Sequence, residues 1–276
     1  MFAYQHGYHA GNFADVLKHA AIAAIAAHLA AKDKPFFYLD THAGAGRYRL
    51  DGPQAARLGE FRHGIVPVLA ARDAPEALQP FLSAVAALNP DGMLRDYPGS
   101  PLVVRHFMRA RDRMSLHELH PAEFAALRRA LGEDARARLA REDGLAAIAS
   151  ELPPRERRGL VLVDPAYEAN ADYREVPRAI ERGLRRFATG IFVLWYPQLG
   201  RRANAGLARA VLDLHEHALH AELAVRAPHL PGLTGCGLVV LNPPWTLQAQ
   251  LAQLLPWLAR CLAPEEGRWR LAPPRG

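Results

Sequence analysis

Four carboxylates in this chain share one setting, in which each stands at or just beyond the end of a short apolar run. Asp40 closes Phe36-Phe37-Tyr38-Leu39, and Glu118 follows Met114-Ser115-Leu116-His117. Asp143 follows the weaker run Ala135 to Leu139, and Asp164 follows Leu160-Val161-Leu162-Val163. In open parallel sheets, ligands sit beyond the carboxyl ends of the strands, so these positions are candidates for chemistry. Asp40 opens Thr41-His42-Ala43-Gly44-Ala45-Gly46, where glycines let a tight loop bring backbone N–H groups against a ligand. Glu118 can accept both hydroxyls of a ribose. Asp143 can accept an adenine amine, and Gly144 after it leaves space for the ring. The fourth end reads Asp164-Pro165-Ala166-Tyr167. A dinucleotide fingerprint needs another glycine three places beyond Gly46, and Arg49 stands there, which argues against a nicotinamide oxidoreductase.

These residues require strands alternating with helices. Further apolar runs lie at Ile191-Phe192-Val193-Leu194-Trp195, Glu222 to Arg226 and Gly237 to Leu241, separated by Ala/Leu-rich stretches. Near-continuous apolar strands between helices imply a mostly parallel sheet covered on both faces, here of seven strands. From about Gly52 to Asp96 no strand pattern occurs. That Ala/Leu-rich segment, broken by Pro53, Pro67, Pro75, Pro80 and Asn89-Pro90-Asp91-Gly92, reads as a small helical insertion at 52–96 within a single domain spanning 1–276. The charged, proline-rich stretch from Glu265 to Gly276 is expected to fray.

The 276 residues carry 34 Lys and Arg against 28 Asp and Glu, a formal net charge of +6, and the pI is about 9.6. That balance favours a polyanionic partner. Two cysteines, Cys236 and Cys261, are too few for a disulfide framework and fit a reducing compartment. The apolar run Ala20 to Ala31 is too short to span a bilayer, and the His-rich start with Asp15 is unlike a signal peptide, so a cytoplasmic protein is expected. The His117-Glu118-Leu119-His120 and His215 to His220 groups match no zinc spacing, so no metal is expected.

Gly-rich loop, Glu, Asp-Gly and Asp-Pro-x-Tyr at successive strand ends resemble the order found in amino-methyltransferases. More closely, the chain resembles the bacterial 23S ribosomal RNA (adenine-N6)-methyltransferase J family. The resemblance rests on Tyr8-His9-Ala10-Gly11-Asn12, Asp15-Val16-Leu17-Lys18-His19, Leu39 to Tyr48, Tyr97-Pro98-Gly99-Ser100-Pro101, Glu118-Leu119-His120-Pro121, Phe187-Ala188-Thr189-Gly190 and Leu194-Trp195-Tyr196-Pro197. It implies a Rossmann-like class I methyltransferase fold of the α/β class, S-adenosylmethionine as donor, and one adenine of 23S rRNA as target, on naked or partly assembled RNA, with the protein acting as a monomer. It also implies a donor site at Lys18, His19, His42, Gly44, Ser100, Glu118, Asp143, Gly144 and Asp164. The expected catalytic group is Asp164, Pro165 and Tyr167, and Tyr4, His6, Lys18 and Tyr167 are expected beside the target base.

An adenine N6 amine is a poor nucleophile because its lone pair is delocalised into the ring, so the protein must align it and manage charge. Asp164 and the Pro165 carbonyl can accept its two hydrogens, and Tyr167 can stack on the extruded base, a contact worth ~1–3 kcal/mol. Ala166 stands where the family usually has proline, which removes a lock on φ and predicts a looser loop. Asn242-Pro243-Pro244-Trp245 has the same pattern as the fourth motif, but it falls at the last strand, where an antiparallel hairpin is expected far from the donor. Two further readings are a DNA adenine-N6 methyltransferase, disfavoured by the lack of a large target-recognition domain, and a non-catalytic RNA-binding relic, for which Ala166 is the one supporting feature.

Overall fold

A computed structural model describes residues 5–168, 171–199 and 203–274. Ten strands and ten α-helices occur among them. The strands are β1 (Phe37–Asp40), β2 (Arg47–Arg49), β3 (Asp96–Pro98), β4 (Arg113–His117), β5 (Ala137–Ala140), β6 (Gly159–Val163), β7 (Ile191–Gln198), β8 (Ala218–Ala224), β9 (Gly235–Leu241) and β10 (Arg268–Ala272). The helices are α1 (Phe13–Ala30), α2 (Pro53–Leu58), α3 (Ile65–Ala70), α4 (Gln79–Leu88), α5 (Ser100–Arg105), α6 (Pro121–Leu131), α7 (Gly144–Glu151), α8 (Asp172–Arg186), α9 (Ala203–Leu212) and α10 (Leu247–Leu262).

Eight strands form the main sheet in the order β10-β8-β9-β7-β6-β1-β4-β5. The five from β5 to β7 pair in parallel, and β9, β8 and β10 are antiparallel to their neighbours. This is the Rossmann-like methyltransferase arrangement, with one strand more than the seven expected. The extra strand is β10, which forms where fraying was expected. Its five residues give up the freedom of a tail for a ladder along the edge of β8, and a covered edge no longer offers unpaired N–H and C=O groups.

Side chains alternate across the parallel strands, as the period of two requires. Tyr38, Leu160 and Leu162 face the core shared with α1, α5 and α10, whereas Phe37, Leu39, Val161 and Val163 face the one shared with α7, α8 and α9. The run from Ala20 belongs to the longer α1, whose N-cap is Asn12: its side chain accepts from the Ala14 and Asp15 amides at 3.0 and 2.9 Å. Among the described residues, α1 alone is long and apolar enough to cross a membrane, and 83% of it is buried within the fold. Lys18 and His19 therefore sit in the second turn of α1.

The stretch between β2 and β3 contains α2, α3, α4 and two 3-10 turns at Glu60–His63 and Glu76–Leu78. β2 and β3 pair antiparallel and close it off. Across that ribbon, Arg47 grips Asp96 through two hydrogen bonds of 2.9 and 2.7 Å. Glu60 links the segment to the start of the chain, accepting from Asn12 Nδ2 at 3.0 Å and meeting His9 Nδ1 at 3.0 Å.

Candidate active site

The chain runs outward from β1 to β4 and β5, then returns to β6 and β7 on the other side, so the sheet reverses between β1 and β6. A ligand crevice is expected at such a reversal, beyond the carboxyl ends of the strands. A cavity of about 1210 Å³ lies there. The strand ends supply Thr41, His42, Glu118, Asp143, Asp164 and Trp195, and α1 supplies Asp15, Lys18 and His19.

Lys18 Nζ stands 2.7 Å from Asp164 Oδ2 and 3.0 Å from Asp15 Oδ1. Burial works against the ammonium, but the two carboxylates outweigh it and hold the Lys18 pKa above its ordinary value. Asp15 is 2% exposed. Burial opposes its charge as well, yet His6, Lys18 and His19 keep its carboxyl well below the usual range. Asp15 also accepts from the Gly11 amide at 2.9 Å and contacts His6 Nε2 at 2.9 Å. His19 contacts Tyr97 Oη through Nδ1 at 2.8 Å, and burial lowers its pKa to about 3. The second oxygen of Asp164, Oδ1, has no hydrogen-bond partner among the described residues.

The glycine loop is tightly determined. Gly44 has φ +58°, and a Cβ there would stand 2.2 Å from Tyr48 Oη. Its amide donates to Glu118 Oε2 at 2.9 Å, and Glu118 Oε1 accepts from the His120 amide at 2.7 Å. Asp40 lies fully buried beneath the loop, accepting from Tyr38 Oη and Ser100 Oγ, each at 2.6 Å, and from the His42 amide. Burial raises its carboxyl to about 6.

This donor set fits a nucleoside-based sulfonium such as S-adenosylmethionine. Glu118 has the chemistry to accept hydroxyls and Asp143 to accept amines, and the acidic lining suits a cation. The cavity also exceeds the ~300–1,000 Å³ of an ordinary small-molecule pocket, which leaves space for a second group such as a nucleotide.

The family model described as ribosomal RNA large subunit methyltransferase D, RlmJ, matches residues 33–272. The chain belongs to this family. "Ribosomal RNA large subunit methyltransferase J" of Escherichia coli strain K12 is 44% identical over 269 residues, covering 96% of this chain and 95% of that one. The protein of the same name from Haemophilus influenzae is 43% identical over 276 residues, covering 98% and 97%. A crystal structure from Legionella pneumophila aligns with a TM-score of 0.89 at 33% identity, covering 96% of this chain and 98% of that one.

Most of the residues that the family resemblance singles out line this one cavity: His6, Lys18, His19, His42, Gly44, Ser100, Glu118, Asp143, Gly144, Asp164 and Pro165. Tyr4 lies outside the described residues. One expectation needs correction. Tyr167 is not among the cavity-lining residues and is 7% exposed. It adopts φ 55° and turns into the core beside Tyr173 and Trp195, donating from Oη to the Trp195 carbonyl at 2.6 Å. A ring held there cannot stack on a base in the cavity. Gly99 is the N-cap of α5, and the Ser100 hydroxyl is committed to Asp40. Gly144 also allows a close backbone approach, because a Cβ there would stand 2.0 Å from the Thr41 carbonyl oxygen. Its neighbour Asp143 caps α7 by accepting from the Leu145 and Ala146 amides, while still lining the cavity.

Asn242 sits at the carboxyl end of β9, which runs antiparallel to β7, so it emerges on the face opposite the cavity. There its Nδ2 donates to the Ala188 and Gly190 carbonyls at 2.8 and 2.9 Å. Asp15 and Trp195 were not singled out as site residues. The i,i+3 spacing of Asp15 and Lys18 on one helix face was the available signal for Asp15. Among the described residues, no group of three or more His, Cys, Asp or Glu is arranged to hold a metal.

Proposed function

We propose that this protein transfers a methyl group from S-adenosylmethionine to the exocyclic N6 of one adenine in 23S rRNA. It acts in the cytoplasm as a monomer without metal, on naked or partly assembled RNA. Its family consists of ribosomal RNA large subunit methyltransferases, and the methyl donor follows from that class. The observation that carries the adenine reading is the state of Asp164. One carboxylate oxygen is held by Lys18, and the other, at the wall of the cavity, makes no hydrogen bond among the described residues.

Bound S-adenosylmethionine supplies an electrophilic methyl on a sulfonium. The residues then have three tasks. Glu118, Asp143 and the loop at Gly44 hold and orient the donor. Asp164 Oδ1 and the Pro165 carbonyl accept the two amine hydrogens, which turns the nitrogen lone pair toward the methyl. As positive charge grows on nitrogen, the Asp164 carboxylate offsets it, and the proton passes to that carboxylate or to water. Lys18 fixes Asp164 in place through their 2.7 Å contact. Trp195 is an aromatic platform for the base, since it lines the cavity with Lys18 Nζ 5.7 Å from its ring centroid. Extruding a base costs a few kcal/mol, which one stacked ring roughly offsets. Arg57 and Arg62 stand exposed on the 52–96 insertion and Arg226 lines the cavity, so cations are available to RNA phosphates.

Mass-spectrometric mapping of rRNA from cells with and without the protein tests this reading. One N6-methyladenosine in 23S rRNA should vanish with the gene. In vitro, deproteinised 23S rRNA should accept labelled methyl groups. Asp164→Ala should reduce transfer by about 10²–10⁴-fold while donor affinity falls less, because Lys18 keeps Asp15. Asn242→Ala should leave transfer near normal. Methylation confined to DNA or mature ribosomes, or the reverse ranking of the two variants, would overturn the assignment.

A further inference from the structure

Glu123 lies in the first turn of α6 and lines the cavity. It is 9% exposed, and its Oε2 is buried with no hydrogen-bond partner among the described residues. An acidic residue in a first turn ordinarily faces water, where the helix N-terminus favours its charge. Glu123 instead points inward. The Ala45 backbone N–H faces this carboxylate, but an oxygen withdrawn from water and given nothing to accept weakens the fold, so the fold explains its orientation only in part. A group that arrives with a hydrogen to donate explains the rest.

The surroundings narrow the choice of partner. Glu118 stands on the same β4–α6 connection, and each of its oxygens already accepts one backbone N–H. Burial raises the carboxyls of both residues, and the charge of Glu118 adds to the effect on Glu123. Two adjacent carboxylates, one partly used and one with an open oxygen, match a ligand edge bearing two neighbouring O–H donors. Such bonds to ionised acceptors are among the stronger hydrogen bonds. The geometry points to Glu123 as a second acceptor, beside Glu118, for the ribose hydroxyls of the methyl donor. This rests on the donor reading given above.

Calorimetric binding of two probes tests it. S-adenosylhomocysteine carries the ribose and the amino-acid end without a sulfonium charge. 5′-Methylthioadenosine keeps the ribose and adenine and lacks the amino-acid end. Glu123→Ala should weaken both by the same factor, about tenfold or more. Glu123→Gln keeps one acceptor oxygen and should recover part of the loss. Both variants should retain the wild-type far-ultraviolet circular dichroism spectrum. A loss for S-adenosylhomocysteine alone would mean that Glu123 reads the ammonium group, and unchanged affinity for both would remove it from the site. Either result overturns the inference and leaves the donor reading standing. Wild-type protein that binds neither probe would overturn the donor reading itself.

Discussion

An ammonium between two carboxylates neutralises only one of them, and Lys18 stands in that position between Asp15 and Asp164. Removing it leaves buried negative charge without its partner, which typically costs about 3–5 kcal/mol. Lys18→Met should therefore lose stability on that scale in urea denaturation at neutral pH and should also slow methyl transfer. A variant with wild-type stability would mean that the ion triad carries no structural weight. His19 offers a test of a different kind. Its pKa is lowered to about 3 by burial, against an ordinary value of 6.5. Above pH 6.5 the residue is neutral in both states and carries no penalty. As the pH falls toward 3, the unfolded chain binds a proton that the folded chain refuses. The stability of wild type relative to His19→Gln should then shrink by about 1.4 kcal/mol per pH unit below 6.5. A difference that stays flat from pH 7 to pH 5 would show that His19 is not held neutral.

At the scale of elements, the turn from β5 into α7 is pressed against the loop after β1. Gly144 approaches the Thr41 carbonyl so closely that any side chain must displace that loop. Gly144→Ala should therefore weaken S-adenosylhomocysteine binding at least tenfold and lower the melting temperature, since the loop it displaces also carries His42 and Gly44. Unchanged affinity would show that the loop can shift without cost. This junction also marks how far the sequence could be read. Strands β1, β4, β6 and β7 were legible because strands buried on both faces read as continuous apolar runs. β10 was not legible: Arg268-Trp269-Arg270 is charged and exposed, and it is a strand because β8 has an edge to cover. The order of acidic strand ends brought most of the site into view. The orientation of Tyr167 depends on a single φ angle, and the Lys18–Asp164 contact joins residues 146 apart. Neither leaves a local signature.

For the molecule as a whole, the net charge of +6 and the exposed cations near the cavity imply that RNA affinity is largely electrostatic. Filter binding of 23S rRNA should weaken linearly on a log–log plot of affinity against salt, and donor affinity should change far less. A salt-independent RNA affinity would place recognition in apolar or stacking contacts instead. The burial of α1 has a wider consequence. Helix residues that carry chemistry usually sit at a surface, where neighbouring substitutions can relax. Lys18 and His19 are instead fixed in the second turn of a rod gripped on nearly every side, with Ile22 and Ile25 further along it fully enclosed. Packing defects along that rod have little space in which to dissipate. Catalytic rate in this enzyme should therefore be unusually sensitive to methyl-sized changes two turns away from any reacting atom.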